Sequence, residues 1–332
     1  MDPSTDPIIL MQDKWSGTIH VPMYLFFGGL AAGTFIGAVL CDLVGVKSPR
    51  FRQISRVAAY AALPVLALAG FFLTFHLGKP LRGLLFPFYF RNYDSWMTWG
   101  GWILGGTAPL VAAYAVLWYL DTRPAVRRLV GVVGIPFAVG LAMYTGALLA
   151  GSGFVPLWSM KHLPVLFLNS GLTTGVALLG LIAALAWPFL KGAEDSARPV
   201  VAWLSIVLIV MIALELLETY VFMSYLAADP GGLKADPTGQ FVAPTGGRLA
   251  YEYVTQGPLR SWFWWGFIAV GLLIPLALTL PEFLFRRWWL PIATVKFALV
   301  LVGGFVLRYV IVRGGDLKAP LPFPPQLWGI PG

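Results

Sequence analysis

Apolar residues run along this chain in blocks long enough to cross a bilayer, interrupted by short stretches that carry most of the charge. A helix needs about 20 predominantly apolar residues to span ~30 Å of hydrocarbon. Eight such blocks are present, over residues 20–46, 55–77, 95–120, 128–150, 164–190, 198–226, 259–281 and 289–313. Runs such as YLFFGGLAAGTFIGAVL and IATVKFALVLVGGFVL are apolar on all faces and lack the alternation of a barrel strand, so they predict helices. The expected fold is an all-α integral membrane protein of eight transmembrane helices.

Composition agrees. The chain is 58% hydrophobic and 11% charged, with a mean hydropathy of +0.77, a balance that leaves too little charge to cover a soluble surface. The net charge of +8 is dispersed among connections. Those between spans 1–2, 3–4, 5–6 and 7–8 hold Lys47, Arg50, Arg52, Arg56, Arg123, Arg127, Arg128, Lys191, Arg198, Arg286 and Arg287. Connections 2–3 and 4–5 hold Lys79, Arg82, Arg91 and Lys161. The basic bias puts the first set in the cytoplasm and both termini outside the cell (inner) membrane. No basic patch calls for nucleic acid.

The first nineteen residues carry Asp2, Asp6 and Asp13 without a basic flank or a twin arginine, so the first span is expected to insert uncleaved. Cys41 is the only cysteine, which rules out an internal disulfide and a cysteine-ligated iron–sulfur cluster in this chain.

A repeat relates the first and fifth spans at an offset of 142 residues: HVPMYLFFGGLAAG from His20, and HLPVLFLNSGLTTG from His162. His20, Pro22, Gly29, Leu30 and Gly33 fall on His162, Pro164, Gly171, Leu172 and Gly175, with Leu25 on Phe167. Both copies enter from the same side, so the repeat is parallel. The second and sixth spans show no comparable match. The glycines form small-xxx-small series suited to close helix packing, the explanation favoured over ligand approach.

The organisation expected is an extracytoplasmic segment 1–19, a first four-helix bundle 20–150, a connection 151–163, and a second bundle 164–313 containing an extracytoplasmic loop 227–258. A Pro-rich tail 314–332 follows. Loop and tail are rich in Pro and Gly and predict irregular backbone, either plain connections or a surface for a soluble partner.

Polar side chains concentrate in the outward leaflet: His20 opens the first span, Tyr144 lies near the end of the fourth, and Asn169 is early in the fifth. Glu215, Glu218 and Arg308 belong to the sixth and eighth. Such groups should face the bundle interior. Glu218 and Arg308 come out at similar depth, which leaves open a buried ion pair or a proton path. Lys296 and Asp42, nearer the cytoplasmic ends of their spans, are candidates to extend that path. His20, His76 and His162 all lie at span ends, a poor supply of axial pairs for haem, and no metal or nucleotide motif is present. Imidazole and phenol suit a quinone head, since each donates to a carbonyl and accepts from a hydroxyl. Alone, a terminal His or Tyr is more often an interfacial anchor.

Several stretches together resemble the NrfD-like family, which includes the membrane subunit of polysulfide reductase: HVPMYLFFGGLAAG, HLGKPLR, MYTGALLA, PLWSMKHLPVLFLNSGLTTG and VGGFVLRYVIVRGG. The resemblance covers most of the chain. It implies two four-helix bundles, a quinone site in the outward leaflet, and association with an iron–sulfur subunit that often serves a molybdopterin catalytic subunit. By motif, His20 and Tyr144 match the quinone-head ligands. Ser16, one turn before His20, occupies a polar position often filled by Asn, and His76 stands where the family frequently has Asp. The expected function is a membrane anchor exchanging electrons between a partner and menaquinone or ubiquinone, with no haem or cluster of its own. A secondary transporter and a passive anchor are the competing readings.

Overall fold

The computed structural model describes residues 19–46, 49–76, 92–121, 123–151, 155–186, 194–228, 233–235, 242–244, 246–285 and 289–316. Six helices come first: α1 (His20–Val44), α2 (Pro49–His76), α3 (Trp96–Tyr119), α4 (Pro124–Ala150), α5 (Leu163–Ala186) and α6 (Glu194–Ala227). A small hairpin of β1 (Leu233–Ala235) and β2 (Val242–Pro244) precedes the short α7 (Gly247–Thr255). A π-helix, Trp262–Leu273, then runs directly into α8 (Ile274–Leu284), and α9 (Trp289–Arg313) ends in a 3-10 turn, Gly314–Asp316.

Eight of these, counting the π-helix and α8 as one span, are long and apolar enough to cross a membrane, so the chain is a multi-pass integral membrane protein. Local signals set several ends. Ser95 caps α3 by accepting the Met97 amide at 3.3 Å, and Pro124 starts α4 at a position where a missing N–H costs nothing.

Burial separates the hub from the periphery. In α1, 83% of the apolar window is buried, against 28% in α2 and α3, so α1 is surrounded by protein while α2 and α3 expose apolar faces to lipid. The α1 contacts are with α2, α4, α5 and α9. Its crossing with α5 is made by the repeated glycines themselves. A Cβ at Gly33 would overlap the Gly171 carbonyl, and one at Gly171 would come within 3.0 Å of the Gly29 oxygen. Backbone meets backbone because neither helix has a side chain there. We expect Gly33→Val to force α1 and α5 apart, with a loss of about 1–3 kcal/mol readable as a lower unfolding temperature of the detergent-solubilised protein.

The structure extends the repeat beyond the spans in which the sequence displays it. Positions 150 residues apart in α2 and α6 are buried together: Ile54 with Leu204, Ser55 with Ser205, Ala58 with Leu208, Ala62 with Ile212, and Ala69 with Thr219. In α4 and α9 the offset is 169, pairing buried Arg127 with Lys296, Gly134 with Gly303, and Leu141 with Val310. Identity has largely gone while the buried face is kept, which is why letter matching between the second and sixth spans finds nothing.

The segment 227–258 is not irregular throughout. Residues 247–254 contain no proline and no glycine after Gly247, and they form α7 with Ala250 and Val254 buried. Its outer face carries an Arg248–Glu252 pair four residues apart at 3.1 Å.

Candidate functional site

Where α1 begins, His20 is exposed and its ring lies 6.2 Å from that of Phe72 on α2. Phe72 in turn stacks flat on Phe27 at 5.7 Å. One turn below His20 on the same face of α1, Tyr24 is 4% exposed, and its hydroxyl is hydrogen-bonded to that of Tyr144 near the end of α4. Gly100 of α3 makes room for this pair, because a Cβ there would fall within the Tyr144 ring. An exposed imidazole thus lies above two buried phenols, all three able to donate and accept. This face of the membrane, where α1 begins, is called the entry face.

Sequence reasoning singled out His20 and Tyr144 and passed over Tyr24 and Gly100, which the structure places beside Tyr144. The four-residue spacing of His20 and Tyr24 carried the signal for the first. Nothing local marked Gly100, whose role depends on a side chain from another helix. Ser16 lies outside the described residues. His76 is the last residue of α2, and its side chain is outside the described set.

A second polar group joins α5, α6 and α9. Arg308, fully buried, donates from Nη1 to the Ser170 hydroxyl and to the Gly304 carbonyl at 3.0 Å, and from Nη2 to the Phe167 carbonyl at 3.3 Å. Ser170 and Thr173 hydrogen-bond Glu215, which is 1% exposed. Arg308 and Glu215 are therefore linked through a hydroxyl. The similar depth of Glu218 and Arg308 in the sequence left open an ion pair or a proton path; among the described residues the charge facing Arg308 is Glu215. Glu218 turns instead to Asn169, and its Oε2 is buried without a partner. Three to four residues make one helical turn, so Glu215 and Glu218 both reach α5 and only the deeper one reaches α9.

The two residues nearest the opposite face fall into separate clusters. Asp42 accepts from Arg127 Nε at 2.9 Å and Nη2 at 2.7 Å, and from the Tyr114 hydroxyl at 3.4 Å. The Tyr114 hydroxyl also shares a hydrogen bond with Ser55 at 3.1 Å. Lys296 pairs with Glu282 and donates to Ser205 at 2.6 Å. Arg127 with Lys296, and Ser55 with Ser205, are the same repeat-related positions seen in the burial pattern. Each repeat thus carries a buried cation and a serine in one polar cluster at this face, in direct contact for Lys296 and Ser205 and linked through Asp42 and Tyr114 for Arg127 and Ser55.

His162, the counterpart of His20, immediately precedes α5. Its ring lies 5.5 Å from Phe222 and 4.7 Å from Tyr225 of α6. Partial burial, and then the adjacent Lys161 ammonium, hold its imidazole below the ordinary range. A groove of about 370 Å³ lies on another face of α6, lined by Tyr220, Met223, Tyr251, Phe263 and Trp264 among others. It is apolar, open and bounded by α7 and the π-helix, so it is separate from the tyrosine pair. Among the described residues no three His, Cys, Asp or Glu side chains gather to hold a metal.

A bundle of eight membrane-crossing helices with polar groups gathered inside is a membrane component rather than a soluble catalyst. The profile of the family described as polysulphide reductase, NrfD matches residues 10–319, and the chain belongs to that family. It is 27% identical to the C component of polysulfide reductase from Wolinella succinogenes, over 89% of this chain and 93% of that protein. It is 26% identical to protein NrfD of Escherichia coli over 90% and 94% of the two chains. The C component of selenate reductase from Mesobacillus selenatarsenatis is 22% identical over 60% of this chain and 54% of its own.

Proposed function

We propose that this chain anchors a multi-subunit oxidoreductase in the membrane and exchanges electrons with quinone beside His20, Tyr24 and Tyr144. The observation that carries the reading is the buried pair of tyrosine hydroxyls beneath an exposed histidine. Quinone, menaquinone or ubiquinone, is a diffusible substrate whose carbonyls accept hydrogen bonds and whose reduced form donates them. Tyr144 offers a donor fixed by Tyr24 and by the space at Gly100. His20, whose ring nitrogens both donate and accept, passes a proton at the rim.

Family membership supports the anchor role. Relatives that are single components of polysulfide and selenate reductases support the existence of partner subunits, and the proposed ones are an iron–sulfur electron-transfer subunit and a molybdopterin catalytic subunit. They dock on the entry face, which the basic bias of the loops assigns to the extracytoplasmic side. Two four-helix bundles meeting at the glycine crossing of α1 and α5 account for the repeated buried positions. Glu215, Glu218 and Arg308 form the proton path, whereas Asp42 and Lys296 are each occupied by an ion pair.

The test is made on the intact complex. His20→Ala and Tyr144→Phe are expected to lower quinone-coupled electron exchange by about 100-fold while assembly is unchanged. Full exchange rates in both would remove the assignment. Purified wild-type protein without quinone affinity would favour a passive anchor, and solute uptake by proteoliposomes without a redox partner would favour a transporter.

A further inference from the structure

We infer that the groove beside α7, between α6 and the π-helix, holds one acyl chain of an anionic phospholipid whose phosphate lies at Arg260. The site is separate from the tyrosine pair and does not rest on the quinone reading.

Three elements build the walls. On α6 the lining residues run from Leu216 through Thr219, Tyr220 and Met223 to Ala227, a rise of roughly 16 Å. Half of the ~30 Å hydrocarbon thickness is about 15 Å. The groove therefore spans one leaflet, the one at the entry face, where α6 ends.

The π-helix shapes the opposite wall. Its residues five apart share a face, so Gly266 and Gly271 both meet α9, at Val306 and Gly303, while Phe263 and Ile268 both line the groove. An α-helix would turn each pair about 140° apart and could not serve both neighbours. The upper end is closed by Tyr251 and Thr255 of α7. Trp264 ties this cap to the π-helix, its Nε1 donating to the Thr255 carbonyl at 3.1 Å.

The walls select hydrocarbon. Thr219 and Thr255 each donate to a carbonyl of their own helix at 2.7 Å, so their hydroxyl protons are already placed. A volume of about 370 Å³ over that length gives a cross-section of roughly 23 Å². This suits a single extended chain, about 4–5 Å across at contact distance. A helix from a partner, ~10 Å across, is too wide.

Shape alone does not hold a lipid, because an acyl chain loses little by returning to bulk hydrocarbon. The head group supplies the selection. Arg260 opens the helical run of the seventh span, one turn above Phe263 and Trp264, and is exposed. Among the described residues no carboxylate pairs with it, whereas Arg248 of α7 is held by Glu252. The mouth thus keeps one uncommitted positive charge. Ser224, exposed near the top of the α6 wall, adds a hydroxyl able to donate to a phosphate or ester oxygen.

The experiment uses the purified protein in a mild detergent, titrated with dioleoylphosphatidylglycerol or dioleoylphosphatidylcholine, with bound lipid counted by native mass spectrometry. The first phosphatidylglycerol is expected to bind about fivefold more tightly than the first phosphatidylcholine, the effect of one basic side chain at a lipid surface. Arg260→Gln should abolish that preference. Ile268→Trp, which fills the groove at depth, should weaken the first phosphatidylglycerol by about tenfold or more. Arg260 is exposed, so its replacement leaves the packing untouched, and thermal unfolding in lipid-free detergent checks the fold of Ile268→Trp. Equal affinities for the two lipids in the wild type, or wild-type binding in Arg260→Gln or in folded Ile268→Trp, overturns the inference. Displacement of the lipid one for one by menaquinone, undiminished in Arg260→Gln, would assign the groove to an isoprenoid tail and overturn it likewise.

Discussion

Arg127→Leu is expected to destabilise the protein by about 3–5 kcal/mol, the cost of leaving a buried carboxylate without its countercharge. Asp42 and Arg127 are 1% and 0% exposed and meet through two hydrogen bonds. The guanidinium also lies 3.5 Å from the Trp118 ring centroid. Once Arg127 is gone, Asp42 retains Tyr114 and the more distant Arg128, whose Nε is 3.7 Å away. Neither neutralises the charge as well. The decisive comparison is Asp42→Leu/Arg127→Leu, expected to recover most of the loss because apolar replacement of both partners removes the desolvation cost together with the attraction. Denaturant unfolding of the purified protein measures both. A double variant as unstable as the single one would show that shape around the pair, not charge, is decisive. Lys296→Met alone and with Glu282→Leu should behave in the same way. The two clusters share no partner, so their effects should add.

These clusters also mark what the sequence could and could not reveal. Eight spans were legible because hydrocarbon thickness imposes a length that apolar runs report directly. The π-helical stretch of the seventh span was not, since Trp262–Leu273 is apolar all round and has no periodicity to betray a wider turn. His20 and Tyr144 were legible as residue types at one leaflet. The hydrogen bond of Tyr144 to Tyr24 was not, because it depends on the angle at which α4 meets α1. Depth along two helices placed Glu218 opposite Arg308, but depth says nothing about azimuth. The structure turns Glu215 toward Ser170 and Arg308, and Glu218 toward Asn169. The same gap explains Asp42 and Lys296: a carboxylate or an ammonium in a span announces a partner without naming it, and here the partners are Arg127 and Glu282.

Gly100→Ala is expected to weaken quinone binding by about tenfold or more without touching a polar atom. A methyl at this position would occupy the volume of Cζ, Oη and Cε1 of Tyr144. Tyr144 is 6% exposed, and a ring displaced from this position must leave Tyr24 and any head group beside it. Losing one or two well-placed hydrogen bonds costs about 1–3 kcal/mol, the size of the predicted effect. Overpacking between α3 and α4 would also lower stability, and a control separates the two. Gly106→Ala brings a methyl within 2.6 Å of Phe137 Cε1 on the same helix pair, but Phe137 is 41% exposed and can yield toward lipid. By thermal unfolding Gly106→Ala should cost the less and leave affinity unchanged, whereas Gly100→Ala should lose affinity in a quinone titration of the purified protein under conditions where both variants remain folded. If Gly100→Ala binds quinone normally with Tyr144 displaced, the tyrosine pair is a packing feature and the head group must be held elsewhere on the entry face.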